Sequence, residues 1–382
     1  METITVNIGD KATVIREDFP RLFQVLKDRG YQLVGPTLNR GDLIYGPLSG
    51  VSDLPQGWQD WQAPASFRLK RREDQALFGF GVGQHSWKPF LFPPRQLLWQ
   101  ARLTRSGFDP LPLEEEHPRF AFIGVHPCDL AAIQVQDKVF LEGAYSDPTY
   151  RGRRLGAFIV AVNCGHACGT GFCASMGTGP RAASGFDLAL TEVISSSGPH
   201  YFLVEAGTAA GQEILAEIPH RPASPEEMRQ GEERIKQAET QMGRFVETRG
   251  LKDLLYRNYE HPRWDDVAGR CLTCGNCTWV CPTCFCHTME DMTDLTGETA
   301  QRWRRMDVCF TVNFSYLHGG SVRISPLSRY RQWMTHKLAT WVDQFGCFGC
   351  IGCGRCVTWC PVGIDITEEA RAIRESENPV GA

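Results

Sequence analysis

The sequence predicts a mixed α+β protein in three parts: an N-terminal α/β domain over 1–215, a helical connector over 216–265 and a helical C-terminal domain over 266–382. Three observations carry this. Apolar runs of strand length recur before residue 215. Ser224-Pro225-Glu226-Glu227 is a capping box with Pro at the first helical position, and it opens a highly charged stretch. Twelve of the 16 cysteines crowd between Cys271 and Cys360, far from the strand-rich half.

In the first part, Phe120–Val125, Ala157–Val162, Phe186–Val193 and Tyr201–Val204 read as strands separated by short helical patterns. Residues 1–85 carry little pattern. In the second part, one helix is expected from Pro225 to about Phe245 and a shorter one over Leu251–Tyr256. In the third, Ser328–Phe345 sets Trp333, Leu338, Trp341, Val342 and Phe345 at helical spacing. At 382 residues the chain exceeds one ordinary domain, and 42% apolar residues suffice for a real core. A net charge of −4 gives no footprint for nucleic acid. No apolar run approaches the length of a membrane span. The opening METITVNIGD has neither a basic nor an apolar leader region, so a cytoplasmic location is expected.

Cytosolic thiols are kept reduced, so cysteines this dense point to soft-metal ligation. Cys271-x2-Cys274-x2-Cys277-x3-Cys281-Pro282 and Cys350-x2-Cys353-x2-Cys356-x3-Cys360-Pro361 are both C-x2-C-x2-C-x3-C-P, the bacterial ferredoxin run for [4Fe–4S] clusters. In that run three cysteines wrap one cluster and the fourth reaches the other. Cys271, Cys274, Cys277 and Cys360 are therefore expected on one cluster, and Cys350, Cys353, Cys356 and Cys281 on the second. Gly275, Gly352 and Gly354 are expected to let the backbone approach the sulfides. A zinc ribbon has paired C-x2-C without the third cysteine in step. The 68 residues from Pro282 to Gly349 exceed the spacer of a compact ferredoxin, so an inserted helical region is expected in a ferredoxin-like di-cluster domain. Trp279 and Trp359, in equivalent gaps, are either water excluders or core aromatics.

Cys128 in His126-Pro127-Cys128-Asp129, with Cys164, Cys168 and Cys173 in NCGHACGTGFC, makes a third four-cysteine set. Spacing alone suits an iron–sulfur cluster and a zinc site equally, and leaves buried structural thiols open. His126, His166 and Asp129 are alternative ligands there. Cys284, Cys286, Cys309 and Cys347 read as buried small hydrophobes, with a further cluster as the sharper alternative. No G-x-G-x-x-G follows a strand and no P-loop is present, so neither flavin nor nucleotide is expected on this chain alone. Basic runs at Arg68–Arg72 and Arg302–Arg305 read as solvated faces, or as partner-docking sites. The chain thus has electron-carrying residues and no catalytic constellation: a non-catalytic electron-transfer subunit is expected, against a zinc-stabilised scaffold or binding module as the reading from another class.

His126–Ile133 (HPCDLAAI), Asp147–Arg154 (DPTYRGRR), Phe172–Pro180 (FCASMGTGP), Phe186–Glu192 (FDLALTE), Cys281–Cys286 (CPTCFC) and Cys350–Asp365 (CIGCGRCVTWCPVGID) spread over about two-thirds of the chain. As a group they resemble the iron–sulfur beta subunits of cytoplasmic NAD(P)-linked nickel–iron hydrogenases (sulfhydrogenases), and equally the iron–sulfur subunit of anaerobic sulfite reductases. The resemblance implies a relay between a flavin- and NAD(P)-binding reductase subunit and a terminal partner, either nickel–iron hydrogenase subunits or a siroheme sulfite reductase subunit. It also favours a third [4Fe–4S] cluster on Cys128, Cys164, Cys168 and Cys173.

Overall fold

Two adjacent strands, Phe120–Val125 and Phe158–Val162, are buried along their whole length. Such continuous apolar runs suit strands covered on both faces. They pair in parallel at the centre of an eight-stranded sheet. In the computed structural model, which describes residues 7–113, 117–194 and 198–377, the sheet order is Arg221–Pro222, Lys11–Ile15, His200–Ala206, Leu188–Ile194, Phe158–Val162, Phe120–Val125, Gln32–Asn39 and Asp42–Pro47. Gln32–Asn39 and Leu188–Ile194 extend the parallel core, and the outer pairs are antiparallel. The expected strands all form, with ends shifted by one or two residues. The featureless 1–85 segment contributes three of the eight strands. Residues 1–6 of the leader reading lie outside the described residues.

Helix Pro127–Phe140 leaves the end of Phe120–Val125 with Pro at its start, and helix Pro148–Leu155 leads into the next parallel strand. One apolar cluster, with Phe19, Leu22, Val160 and Phe202, packs one face of the sheet. A second, with Trp87, Phe122, Ile159 and Tyr150, packs the other.

The connector helix runs Pro225–Thr240, shorter than expected. Ser224 Oγ accepts from Glu227 N, and the Glu227 carboxylate accepts from Ser224 N at 2.9 Å. Gly231 lets this helix lie close on Leu203: a Cβ there would overlap the leucine methyl. Helices Leu251–Arg257 and Arg263–Arg270 follow. They join Pro326–Thr335, Trp341–Phe345 and Ile366–Glu377 around a core of Trp264, Tyr330, Trp333, Met334 and Leu338.

The C-terminal region is not helical throughout, which corrects the sequence expectation. His287–Thr293 and Thr299–Met306 form a hairpin, and Thr299–Met306 pairs with Arg95–Thr104 of the N-terminal half. The hairpin carried no strand signal because no residue of its first strand is buried. It is built from its turn, where Asp294 accepts from Glu298 N, Thr296 and Thr299. Cross-strand pairs Arg302–Asp291 and Arg305–Glu290 add to it. These two arginines are solvated as expected, whereas Arg304 of the same run is buried against Asp147 and Gln96. Among the described residues no helix is long and apolar enough to cross a membrane.

Ser224→Ala removes the cap of the connector helix and should cost about 1 kcal/mol. Chemical denaturation of the anaerobic protein reads this as a lower midpoint with unchanged slope.

Candidate metal centres

The two cysteine runs fold alike. Gly275 (φ +76°) and Gly354 (φ +78°) turn the backbone left-handed and start the short helices Asn276–Trp279 and Arg355–Thr358, which carry Cys277 and Cys356. Their Cα faces are filled by protein. A Cβ on Gly275 would meet Val308 at 2.8 Å, and one on Gly352 would meet the Cys173 backbone at 2.8 Å. Gly354 is closed in the same way by Thr170. These glycines therefore let neighbouring loops interlock, a use beyond the approach to sulfides expected from sequence.

Cys271, Cys274, Cys277 and Cys360 line one cavity together with Cys356. Cys350, Cys353, Cys356 and Cys281 lie within electrostatic reach of one another. The four cysteines expected in each set are thus neighbours in space. Backbone N–H groups donate to the sulfurs: Thr273 N to Cys271 Sγ (3.4 Å), Ile364 N to Cys360 Sγ (3.3 Å) and Gly352 N to Cys350 Sγ (3.5 Å). Tyr330 and Trp333 both line the first cavity, and among the described residues the Tyr330 hydroxyl and Trp333 Nε1 are buried without a hydrogen-bond partner. An unused hydroxyl donor on Tyr330 beside Cys277, Cys356 and Cys360 fits a sulfur-rich anionic group, since N–H and O–H donors stabilise cluster sulfurs. Among the described residues no three His, Cys, Asp or Glu side chains converge on a single-ion position. A cubane takes one thiolate per iron, so its ligands stand further apart than those of a lone ion.

The third set sits at the carboxyl ends of the two central parallel strands, the usual place for a bound group in such sheets. Cys128 is in the first turn after Phe120–Val125, and Cys164 is two residues beyond Phe158–Val162. Cys168 and Cys173 follow on the loop between Val162 and Leu188; Cys173 is an electrostatic neighbour of the other three, and Cys164 of Cys168. Burial pushes the thiols of Cys128, Cys164 and Cys168 well above their ordinary range, and that of Cys173 up to about 12. Thiols in such surroundings stay protonated unless a metal replaces the proton. Val82 N donates to Cys168 Sγ at 3.4 Å. Gly81 and Gly179 bring backbone up to the thiols: a Cβ on Gly179 would stand 2.9 Å from Cys173 Sγ, and one on Gly81 would overlap Cys168 Sγ.

Of the alternative ligands, Asp129 is taken by Arg355, and His126 is a buried neighbour whose Nδ1 lies 3.5 Å from Cys164 Sγ. His166 lies two residues from both Cys164 and Cys168, on the same loop. Cys347 packs against the apolar cluster of Cys128, Cys173 and Cys353, with Lys138 and Glu142 nearby. Trp279 is 45% exposed, while Trp359 stacks on Phe67.

Several residues that shape the site carried no signal. Arg355, inside the second cysteine run, is fully buried and donates through two nitrogens to Asp129, at 2.6 and 2.8 Å, beside Cys128. Two further donors reach the carbonyls of Gly83 (2.8 Å) and His85 (2.9 Å). The hairpin Trp58–Ala63/Ser66–Arg71 places Asp60 under Gly81 N and Gln62 between Thr170 and Thr358. Lys88 and Lys337 are buried beside the Cys281–Cys284 segment. Only a signal for which distant residues meet would have identified them.

Two cysteine runs on short glycine-started helices mark an iron–sulfur protein of the [4Fe–4S] class, and residues 270–364 match the 4Fe-4S dicluster domain family. Over its length the chain is similar to sulfhydrogenase 2 subunit beta of Pyrococcus furiosus, at 34% identity over 364 residues covering 94% of this chain and 97% of that protein. The chain belongs to the sulfhydrogenase beta-subunit family, iron–sulfur subunits that transfer electrons.

Arg355→Leu leaves Asp129 buried and unpaired and should cost about 3–5 kcal/mol. Replacing both residues by leucine should restore most of it. Thermal unfolding of the three proteins under argon measures the difference.

Proposed function

We propose that this chain carries electrons between an NAD(P)H-linked flavoprotein subunit and a nickel–iron hydrogenase partner, with Cys271/274/277/360, Cys350/353/356/281 and Cys128/164/168/173 each holding one [4Fe–4S] cluster. The observation that carries it is continuity. Cys128 and Cys173 lie within electrostatic reach of Cys353 of the second set. Cys356 of that second set borders the cavity of the first. The three sets therefore follow one another from the central sheet to the helical end.

When bound, such clusters accept and release single electrons. The protein's own residues supply the conditions. Cys128, Val82, Cys173, Trp341, Ile351 and Cys353 form one apolar cluster at the junction, which keeps water from the inner sets. Backbone N–H groups and the buried Tyr330 hydroxyl favour charge on the sulfurs. At the other end Cys274 and Leu272 are exposed, so the last set opens at the surface where a partner can approach. That the terminal chemistry resides on another polypeptide is supported by the relative's name, which is that of one subunit of a hydrogenase.

In the isolated complex, Cys274→Ser should cut hydrogen-to-NAD(P)+ electron flow at least tenfold. Hydrogen-to-viologen and NAD(P)H-to-viologen activities of the partners should persist. Nickel in the complex agrees with the proposal; siroheme in place of nickel, or loss of both half-activities, contradicts it. Separately, Gly81→Ala and Cys128→Ser should each lower iron and acid-labile sulfide by about four per chain. Unchanged iron in both would reject the third set.

A further inference from the structure

We propose that Cys284, Cys286, Cys309 and His336 form one more iron–sulfur cluster site, distinct from the three cysteine sets above. Cys286 and Cys309 are 23 positions apart in sequence, yet the hairpin closes them together. His287 pairs with Met306 at its open end, and Asp307 N continues the ladder to Cys286 O at 2.9 Å. The residues flanking the two strands therefore meet. Cys284, two residues earlier, joins them on the wall of one cavity of about 310 Å³.

The opposite wall is the helical segment that follows Pro326. It widens into a π-helical turn over His336–Thr340, a local distortion that recurs at functional sites. Gln332, Trp333, His336 and Lys337 of this segment line the same cavity. The His336 ring packs against Trp341, with centroids 6.0 Å apart, and among the described residues no side chain or backbone group hydrogen-bonds it. His287, also on the wall, is already tied through Nδ1 to Phe285 O at 3.1 Å.

Charge points the same way. Lys88 donates to the carbonyls of Cys281 and Cys284, and Lys337 to Thr283 Oγ1 and Gly349 O. Both are about 4% exposed, and among the described residues neither has a carboxylate within ion-pair distance. A buried ammonium without an anion is costly. Arg323 adds a third cation to the wall. Cys281 of the second set meets part of this charge, and three thiolates carrying a cluster on Cys284, Cys286 and Cys309 would add to it. A single zinc ion would draw its ligands in to about 2.0–2.3 Å, whereas these side chains surround a wide space and do not converge on one ion position.

The test is iron, zinc and sulfide analysis of the full chain purified without oxygen, comparing the native protein with Cys286→Ser/Cys309→Ser. Iron and sulfide should fall together, by about two or four per chain, and the loss should add to that of Cys128→Ser. Unchanged iron overturns the proposal, whether the two cysteines prove to be free thiols, a disulfide or zinc ligands. Should the double variant fold poorly, His336→Cys gives a second reading. A thiolate in place of an imidazole should keep the iron count and shift one EPR component and its midpoint potential downward. An unchanged spectrum and potential would overturn the imidazole ligand. Because Cys128→Ser reports only on the N-terminal set, failure of one assignment leaves the other measurable.

Discussion

The bidentate pair between Arg355 and Asp129 holds the two halves of the metal-binding region in one frame. Each partner stands next to cysteines of a different set: Asp129 follows Cys128, and Arg355 precedes Cys356. The pair lies at the bottom of an apolar junction, so its geometry must be fully satisfied to be tolerated at all. It is satisfied: four of the guanidinium's hydrogen bonds reach Asp129, Gly83 and His85, and Tyr45 donates a further one to Asp129 at 3.2 Å. The loop 76–85, the second cysteine run and the first turn of helix Pro127–Phe140 are thereby tied at one point.

Around this frame the recurring problem is sulfur in a dry interior. Burial alone disfavours thiolates, and the protein answers with N–H donors from Thr273, Gly352, Ile364 and Val82 and with the cations of Lys88, Lys337 and Arg355. Glycines make the answer possible in space. At Gly81, Gly179, Gly352 and Gly354 any side chain would strike either a cysteine sulfur or the backbone of an adjoining loop. The same packing that excludes water thus brings the cysteine sets within reach of one another.

The cysteine spacing grouped residues that the fold brings together, because the x2-x2-x3-Pro run encodes a local loop and a reach to its twin. The fully buried strands Phe120–Val125 and Phe158–Val162 were legible for the same local reason: uninterrupted apolar runs of strand length. What was not legible depends on distant meetings. The exposed hairpin His287–Thr293/Thr299–Met306 is held by Asp294, ion pairs and a partner strand two hundred residues earlier, so it has no hydrophobic period to detect. With the hairpin unseen, Cys286 and Cys309 had no reason to be neighbours. Residues 58–85 looked empty because their role is to cover the cysteine loops through Asp60, Gln62 and Gly81, which leave no mark in composition.

The account rests on thiolate sets close enough to form a continuous conductor through one polypeptide. Low-temperature EPR of the dithionite-reduced, anaerobically purified full chain tests this most directly. Neighbouring paramagnetic clusters should give broadened, rapidly relaxing signals through spin–spin coupling, which sharpen when one set is removed. Narrow, independent signals that do not change on removal of a neighbouring set, or material with no iron at all, would contradict it.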